Sequence, residues 1–434
     1  MDGPAAALLG FLLLFVLFLI RVPVGLSMLI SGAAGIALIR PRAVLPVIAG
    51  EAFSVSSWYA LTVIPLFMLM GNLTVVSGMS RDLYVAANRW LGGFRGGLAA
   101  ASIVGCGGFS ALSGSSLATA LTMGRMALPE MRRYGYDSSL AAGSVAAGGT
   151  LGILIPPSAG LVLYGILTEE SISRLFIAGV VPGVLLMLLF VLTVFIVVRL
   201  DPGRAPRGGL PDAGGERART PGGAYWILVL AVVTLGGIYT GAFSATEAAG
   251  VGAFLAFLLA LVRRSLTREA LGEVVASTLA ACGTVFLILI GAYVFRVFLG
   301  FTEVPFAVAR WVGDQGWSGA QVIALLLGMF IVLGTFMDAF AILVLMVPLV
   351  QPVLASLGVD MIWFGVMIVI TLEMGLISPP VGLITFVVKG VAPDIPIGAI
   401  YRGIVPFWLA MLALLVLIGL LPGLATFLPQ AMYG

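Results

Sequence analysis

Gly152-Ile153-Leu154-Ile155-Pro156-Pro157-Ser158-Ala159-Gly160 lies inside one long apolar segment, and a second copy, Gly375-Leu376-Ile377-Ser378-Pro379-Pro380-Val381-Gly382, lies inside another. A double proline removes two backbone donors and breaks the helical ladder. In lipid an unsatisfied backbone group costs several kcal/mol, so a broken helix persists only where protein or a water-filled cavity supplies partners. Two broken helices at matching places in two halves of a membrane chain point to a transporter's binding site.

Composition makes this a membrane chain. Of 434 residues, 61% are hydrophobic and 9% charged, against about 45–50% and about 25% in soluble domains. Mean hydropathy is +1.18. The length gives room for roughly ten spans of about 20 residues each, plus loops. The net charge of +3 reflects arginines collected in loops and does not suggest nucleic acid as a partner. Cys106 and Cys282 share no CxxC spacing and read as small packing residues. Histidine is absent, which removes imidazole metal sites and histidine proton relays. The first apolar stretch carries Asp2 and is followed by Arg21, which fits a first membrane helix with its amino end outside better than a cleaved signal peptide. No GxxxxGK[ST] loop and no nucleophile–base pair is visible, so the chain reads as neither an ATPase nor another enzyme.

The two proline breaks belong to a longer self-similarity. Gly71 pairs with Gly291, Trp90 with Trp311, Gly114 with Gly334, Asp137 with Asp360, Pro156 with Pro379 and Pro182 with Pro406, at offsets of 220 to 224 residues. Two homologous halves are therefore expected, 1–198 and 224–434, joined by a polar linker at 199–223. In the first half, helices are expected at about 5–20, 22–39 and 59–78, with an amphipathic piece at 43–57. A Gly/Ser-rich hairpin at about 97–130, a broken helix at about 138–167 and a last helix at 173–198 follow. The second half repeats the pattern at about 224–240, 245–262, 280–299, a hairpin at 319–356, a broken helix at 361–388, and 397–421.

If each hairpin is re-entrant, each half crosses five times and the second half is inverted relative to the first. Charge tests that topology. One side then collects Arg21, Arg81, Arg89, Arg95, Arg125, Arg132, Arg133, the linker arginines 199, 204, 207, 217 and 219, Arg263, Arg264, Arg268, Lys389 and Arg402. The other keeps Arg40, Arg42, Arg174, Arg296 and Arg310. The bias makes the first side, with the linker, cytoplasmic and both termini periplasmic. Twelve full crossings would give no inversion and blur the bias.

The candidate ligands cluster at the hairpins and breaks. The first tip reads Ser110-Ala111-Leu112-Ser113-Gly114-Ser115-Ser116-Leu117-Ala118-Thr119, and its partner reads Gly334-Thr335-Phe336-Met337-Asp338-Ala339. Hydroxyls and freed carbonyls at such a loop suit Na⁺, a hard cation, and half-helix amino ends suit a carboxylate. Close packing of small residues is the competing reading for Ser113, Ser115 and Ser116. Asp338 and Glu373 lie in apolar surroundings, where an acid is functional or paired by default, Arg296 being one candidate partner. Glu247 is a weaker candidate of the same kind. Asn72 is a candidate interhelical hydrogen-bond partner, with the reading that it has no such role the stronger one. Trp58, Tyr59, Trp226, Trp311, Trp317 and Trp363 read as interfacial anchors.

Taken in order, Ser113-Gly114-Ser115, Leu128-Pro129-Glu130-Met131, Tyr134-Gly135-Tyr136-Asp137, Ile155-Pro156-Pro157-Ser158, Ala245-Thr246-Glu247-Ala248-Ala249 and Ile377-Ser378-Pro379-Pro380-Val381-Gly382 resemble the large membrane subunit of tripartite ATP-independent periplasmic (TRAP) transporters. The resemblance spans nearly the whole chain. It implies an all-α polytopic permease of the bacterial inner membrane that works with a small four-helix membrane subunit and a periplasmic substrate-binding protein. It further implies Na⁺-driven uptake of a small organic acid by an elevator movement, with no cofactor beyond the coupling ion. The family's ion and substrate region maps onto Ser113, Gly114, Ser115, Ser116, Pro156, Pro157, Ser158, Gly334, Thr335, Asp338, Ser378, Pro379, Pro380 and Gly382. Glu373 joins that set on its place in an apolar helix. Two positions depart from the pattern: Ala118-Thr119 stands where many relatives carry an acid, and Ser378 stands where Thr is common. A stand-alone Na⁺- or H⁺-coupled carboxylate carrier is the alternative within transport, and a channel or scaffold is the alternative outside it.

Overall fold

A computed structural model describes residues 3–206 and 222–433. Among these residues every regular element is helical. The first half contains α1 (Gly3–Leu19), α2 (Val24–Ile39), α3 (Val44–Ser57), α4 (Val63–Val76), α5 (Met79–Leu91), α6 (Gly97–Ser113), α7 (Ser116–Arg133), α8 (Ser138–Leu154), α9 (Ala159–Thr168) and α10 (Ile172–Leu200). The second contains α11 (Gly222–Tyr239), α12 (Ala245–Val262), α13 (Arg268–Thr302), α14 (Val304–Asp314), α15 (Gly319–Gly334), α16 (Ala339–Ser356), α17 (Met361–Leu376), α18 (Leu383–Val391), α19 (Ile397–Leu420) and α20 (Gly423–Tyr433). Among the described residues, seven stretches are long and apolar enough to cross a membrane, the broken Ser138–Thr168 among them. Most of the expected linker, with Arg207, Arg217 and Arg219, lies outside the described residues.

Polar side chains at helix starts explain many of the boundaries. The Asp137 carboxylate accepts from Leu140 N at 3.1 Å and starts α8. Asp360 accepts from Ile362 N at 2.8 Å and starts α17. These residues form one of the matched pairs of the two halves, and each satisfies donors that a helix amino end leaves free. Thr267 opens α13 in the same way, and Ser318 opens α15 with a reciprocal Gln321 bond.

Packing sorts the helices into two groups. α2 lies along α13, and α4 along α12. Glycine makes the first pairing close: a Cβ on Gly25 would stand 2.6 Å from Ile288 N, and one on Gly291 2.1 Å from Gly25 O. Such backbone contact is how apolar helices adhere where lipid removes the hydrophobic drive between them. The Asn72 amide donates to Thr278 Oγ1 at 2.9 Å, joining α4 to α13. The second group holds α6–α9 and α15–α18 with α10 and α19. Here α6, α7 and α19 pack on α8, and α15 packs on α17. Across the halves α7 meets α18, and α9 meets α16.

Four helices depart from the sequence reading. Amphipathic α5 and α14, and the final α20, occupy stretches expected to be connections. The helix expected at 280–299 is α13, whose 35 residues extend about 52 Å. Its first turns are polar, with Arg268, Glu269 and Glu273, so hydropathy alone begins it late. The corresponding part of the first half is interrupted, by a 3₁₀ turn at Tyr59–Thr62 between α3 and α4.

Candidate functional site

The first hairpin turns on two residues. α6 ends at Gly114, in a left-handed conformation (φ +60°), and Ser115 caps α7 by accepting from Ala118 N at 3.4 Å. A side chain at 114 is excluded twice, by that φ and because a Cβ would lie 2.8 Å from Pro157 O. The Ser113 and Thr119 hydroxyls are 3.1 Å apart, and Thr119 donates to Ser115 O at 2.8 Å.

This tip sits against the first break. Ala159 N donates to Gly114 O at 3.4 Å. Pro156, Pro157 and Ser158 are all buried. Ser158 has two tasks: its Oγ accepts from Leu161 N at 3.1 Å, capping α9, and donates to the Ile153 carbonyl that the break releases. Gly152 lets α8 touch the tip, since a Cβ there would stand 2.5 Å from Ser116 N.

The second tip repeats the arrangement with other residues. Gly382 N donates to Thr335 O at 3.1 Å. Gly334 and Gly375 bring α15 and α17 into backbone contact, with 2.9 Å from a Cβ on Gly334 to Gly375 Cα. Thr335 Oγ1 donates to Val332 O at 2.7 Å. Asp338 caps α16, accepting from Phe340 N at 2.7 Å. Both Pro–Pro peptide bonds, 156–157 and 379–380, are cis.

The second break is held from outside. Tyr401 of α19 donates to Pro380 O at 3.1 Å and Val381 O at 2.8 Å. Trp408 Nε1 donates to Ser378 Oγ at 2.9 Å, while Ser378 donates to Met374 O at 2.6 Å. Thr385 donates to Ile377 O at 3.3 Å. α18 starts at Gly382 (φ +58°) with no side-chain cap, and Pro379 and Pro380 are exposed.

One side-chain bond joins the halves at this level. Ser116 Oγ, at the start of α7, donates to Glu373 Oε1 in α17 at 2.8 Å, with both residues buried. Glu373 Oε2 is buried and has no hydrogen-bond partner. Arg296 is not its partner; that guanidinium lies over the Tyr293 ring, 4.4 Å from the centroid. Glu247 is exposed and its carboxylate is engaged in a capping box with Ser244.

The expected residues thus fall into two tip-and-break contacts bridged by Ser116–Glu373. Sequence reasoning placed Thr119 in the first tip without giving it a bond, and missed Tyr401, Trp408 and Thr385. Thr119 was within reach, lying four residues after Ser115 on one helix face. Tyr401 and Thr385 hold carbonyls at the second break and Trp408 its Ser378 hydroxyl, and none of the three carries a local signal.

Comparison with known proteins follows the same outline. Residues 11–424 match the family model described as tripartite ATP-independent periplasmic transporter, DctM component. The chain is 38% identical over 406 residues to the C4-dicarboxylate TRAP transporter large permease protein DctM of Pseudomonas aeruginosa, covering 93% of this chain and 94% of that one. It is 31% identical to the isethionate TRAP transporter permease protein DctMQ of Oleidesulfovibrio alaskensis, covering 98% of this chain and 66% of that longer one. The fold resembles the YdaH transporter of Alcanivorax borkumensis, with a TM-score of 0.66 over 88% of each chain at 14% identity.

Proposed function

The chain belongs to the DctM-component family of TRAP transporters, as a large permease subunit of the membrane, and on that premise we propose that it carries a small organic acid inward on a Na⁺ gradient. The acid is handed over by a periplasmic binding protein, and a separate small membrane subunit completes the permease. The substrates for which these relatives are named, a C4-dicarboxylate and isethionate, are both small organic anions.

The observation that carries this reading is the pairing of each hairpin tip with its own proline break, Gly114 with Ala159 and Thr335 with Gly382. Tip hydroxyls and carbonyls at Ser113, Ser115, Gly334, Thr335 and Asp338 supply oxygen for Na⁺. Glu373, buried between the halves with one oxygen unpaired, supplies a further oxygen ligand. The amino end of α18, which no side chain caps, suits the substrate carboxylate.

The two halves work as inverted repeats. Reciprocal packing supports this: α2 on α13 mirrors α4 on α12, and α7 on α18 mirrors α9 on α16. The first of these groups is the static frame, and the group holding both hairpins moves as the elevator. Arginine-rich ends meet one another, as Arg95 does with Pro202 O and Ala205 O and Arg263 with Asp82. That face is cytoplasmic, and both termini are periplasmic.

Reconstituted permease with its small subunit takes up substrate only when the cognate binding protein and a Na⁺ gradient are both present. Uptake without the binding protein would favour a stand-alone carrier. Equal uptake on a proton gradient in Na⁺-free buffer would remove Na⁺ from the mechanism. Glu373→Gln, which keeps shape and replaces one carboxyl oxygen by an amide nitrogen, lowers Na⁺-driven uptake at least about tenfold, or about 1.4 kcal/mol, while the complex still assembles.

A further inference from the structure

A groove of about 860 Å³ runs between α15, the first arm of the second hairpin, and α19, with α17 and α20 completing its wall. In the first half the counterpart helices α6 and α10 pack together, whereas α15 and α19 make no comparable contact. Leu327 and Ile331 of α15, Met367 of α17 and Leu415 and Val416 of α19 make the wall apolar. From Gly319 to Ile331 the lining of α15 extends about 18 Å, close to one leaflet's share of a hydrocarbon core about 30 Å thick. Trp363, whose Nε1 donates to Ile418 O at 3.1 Å, lines the groove near its polar end, where an interfacial aromatic is expected.

That end opens into a polar pocket of about 190 Å³, and Asp360, Thr426 and Gln430 line both spaces. Arg174 stands in the smaller one. Its Nη2 donates to Tyr433 O at 3.4 Å, and its guanidinium lies 5.6 Å from the Tyr433 ring centroid. The bond uses one of five guanidinium donors. Asp360 Oδ1 accepts from Ile362 N and Trp363 N, and Oδ2 is left to the pocket. Glu170 shares this corner: burial first, and then the Asp360 charge, push its carboxyl above the ordinary range, and Arg174 opposes the rise. One cation and two acids therefore stand at the mouth of an apolar groove one leaflet deep. A zwitterionic phospholipid presents the matching order, a phosphate and an ammonium above apolar chains. Phosphate fits the guanidinium fork, and the ammonium fits the carboxylates. A purely anionic headgroup would set its charge against two acids with a single cation, and an apolar helix from another chain would leave the charged corner unmatched.

We propose that this groove holds one zwitterionic phospholipid, with its phosphate on Arg174, its ammonium on Asp360 and an acyl chain between α15 and α19. The lipid fills the gap between the arm of the second hairpin and the helix whose Tyr401 and Trp408 hold the second break. The site stands apart from the coupling ion and the substrate and needs only that the chain lie in a bilayer.

The test is native mass spectrometry of the full chain in detergent, titrated with phosphatidylethanolamine and, in a parallel arm, with phosphatidylglycerol of the same chains. Wild type retains one phosphatidylethanolamine about tenfold more tightly than phosphatidylglycerol. A Cβ on Gly328 meets nothing within 4 Å, so Gly328→Phe fills the groove without displacing the chain. It lowers retention of that lipid about tenfold, while the helical circular-dichroism signal stays. Arg174→Gln and Asp360→Asn, the latter still able to cap α17, remove the preference between the two lipids. Equal retention by wild type and Gly328→Phe overturns the proposal. Equal affinity of wild type for the two lipids overturns it as well, since the charged corner would then select nothing. So does loss of the lipid when the small membrane subunit is added, which would make the groove the seat of a protein helix.

Discussion

The two breaks share a backbone design and differ in who completes it. At the first, Pro156 and Pro157 are buried, and Ser158 both caps α9 and takes the carbonyl set free at Ile153. At the second, Pro379 and Pro380 are exposed, α18 has no side-chain cap, and Tyr401 and Trp408 of α19 supply the bonds. One residue decides much of this. A serine follows the first Pro-Pro, whereas Val381 and Gly382 follow the second. The first break is therefore self-contained, and the shape of the second depends on where α19 stands. In this conformation the second is the more exposed of the two.

Cysteine labelling gives the largest contrast. With Cys106 and Cys282 replaced, a cysteine at 381 reacts with a hydrophilic maleimide at least about tenfold faster than one at 158, because the latter must wait for a local opening of about 1.4 kcal/mol or more. Equal rates would show that the two breaks are alike and that the asymmetry is not a property of the molecule. Stability follows the same division. Ser158→Ala removes a helix cap and leaves a buried carbonyl without its partner, at a cost of about 1–2 kcal/mol, read as a lowered thermal midpoint. Tyr401→Phe acts on carbonyls that water can reach, so the midpoint moves by less than about 1 kcal/mol. Its effect falls on substrate affinity, as a several-fold rise in KM. If Tyr401→Phe destabilises as strongly as Ser158→Ala, α19 is structural support and no part of the site.

How much of this was legible follows from the range of each signal. A double proline breaks a helix whatever surrounds it, so both interruptions stand in the sequence itself. The Asp137–Asp360 match marked equivalent places, and both residues prove to be helix caps, a local role with a local signature. α5 and α14 were missed because charges such as Arg81, Asp82, Arg310 and Asp314 make a short surface helix resemble a connection. Glu247 misled in the opposite way: an acid three residues after Ser244 is a capping box before it is a ligand. The Ser116–Glu373 bond spans 257 residues of sequence, and no periodicity could pair them. Tyr401 likewise declares nothing until α19 is placed beside the second break.

The smallest expected effect lies on a tie between the two regions. Arg132 Nη2, at the end of α7, meets Asp394 Oδ2, beyond α18, at 2.5 Å, with both side chains 58% exposed. The first tip's helix is thereby linked to the second break's helix at the arginine-rich face. The hydrogen bond from Arg132 holds the Asp394 carboxyl below its ordinary range. A carboxyl lowered in the folded state stabilises it above the unfolded value of about 3.9, and that contribution is lost as pH falls through the folded value. Exposure and salt screening keep the effect small. Asp394→Asn therefore lowers the thermal midpoint slightly at neutral pH and low salt, and the difference from wild type closes in high salt or in acid. A difference that persists in high salt would make the tie more than a surface ion pair. Because the bond joins α7 to the turn after α18 and touches neither break, its loss should leave the labelling contrast between 158 and 381 unchanged. A shift in that contrast would mean that the state of the second break is set partly from the surface, through this pair.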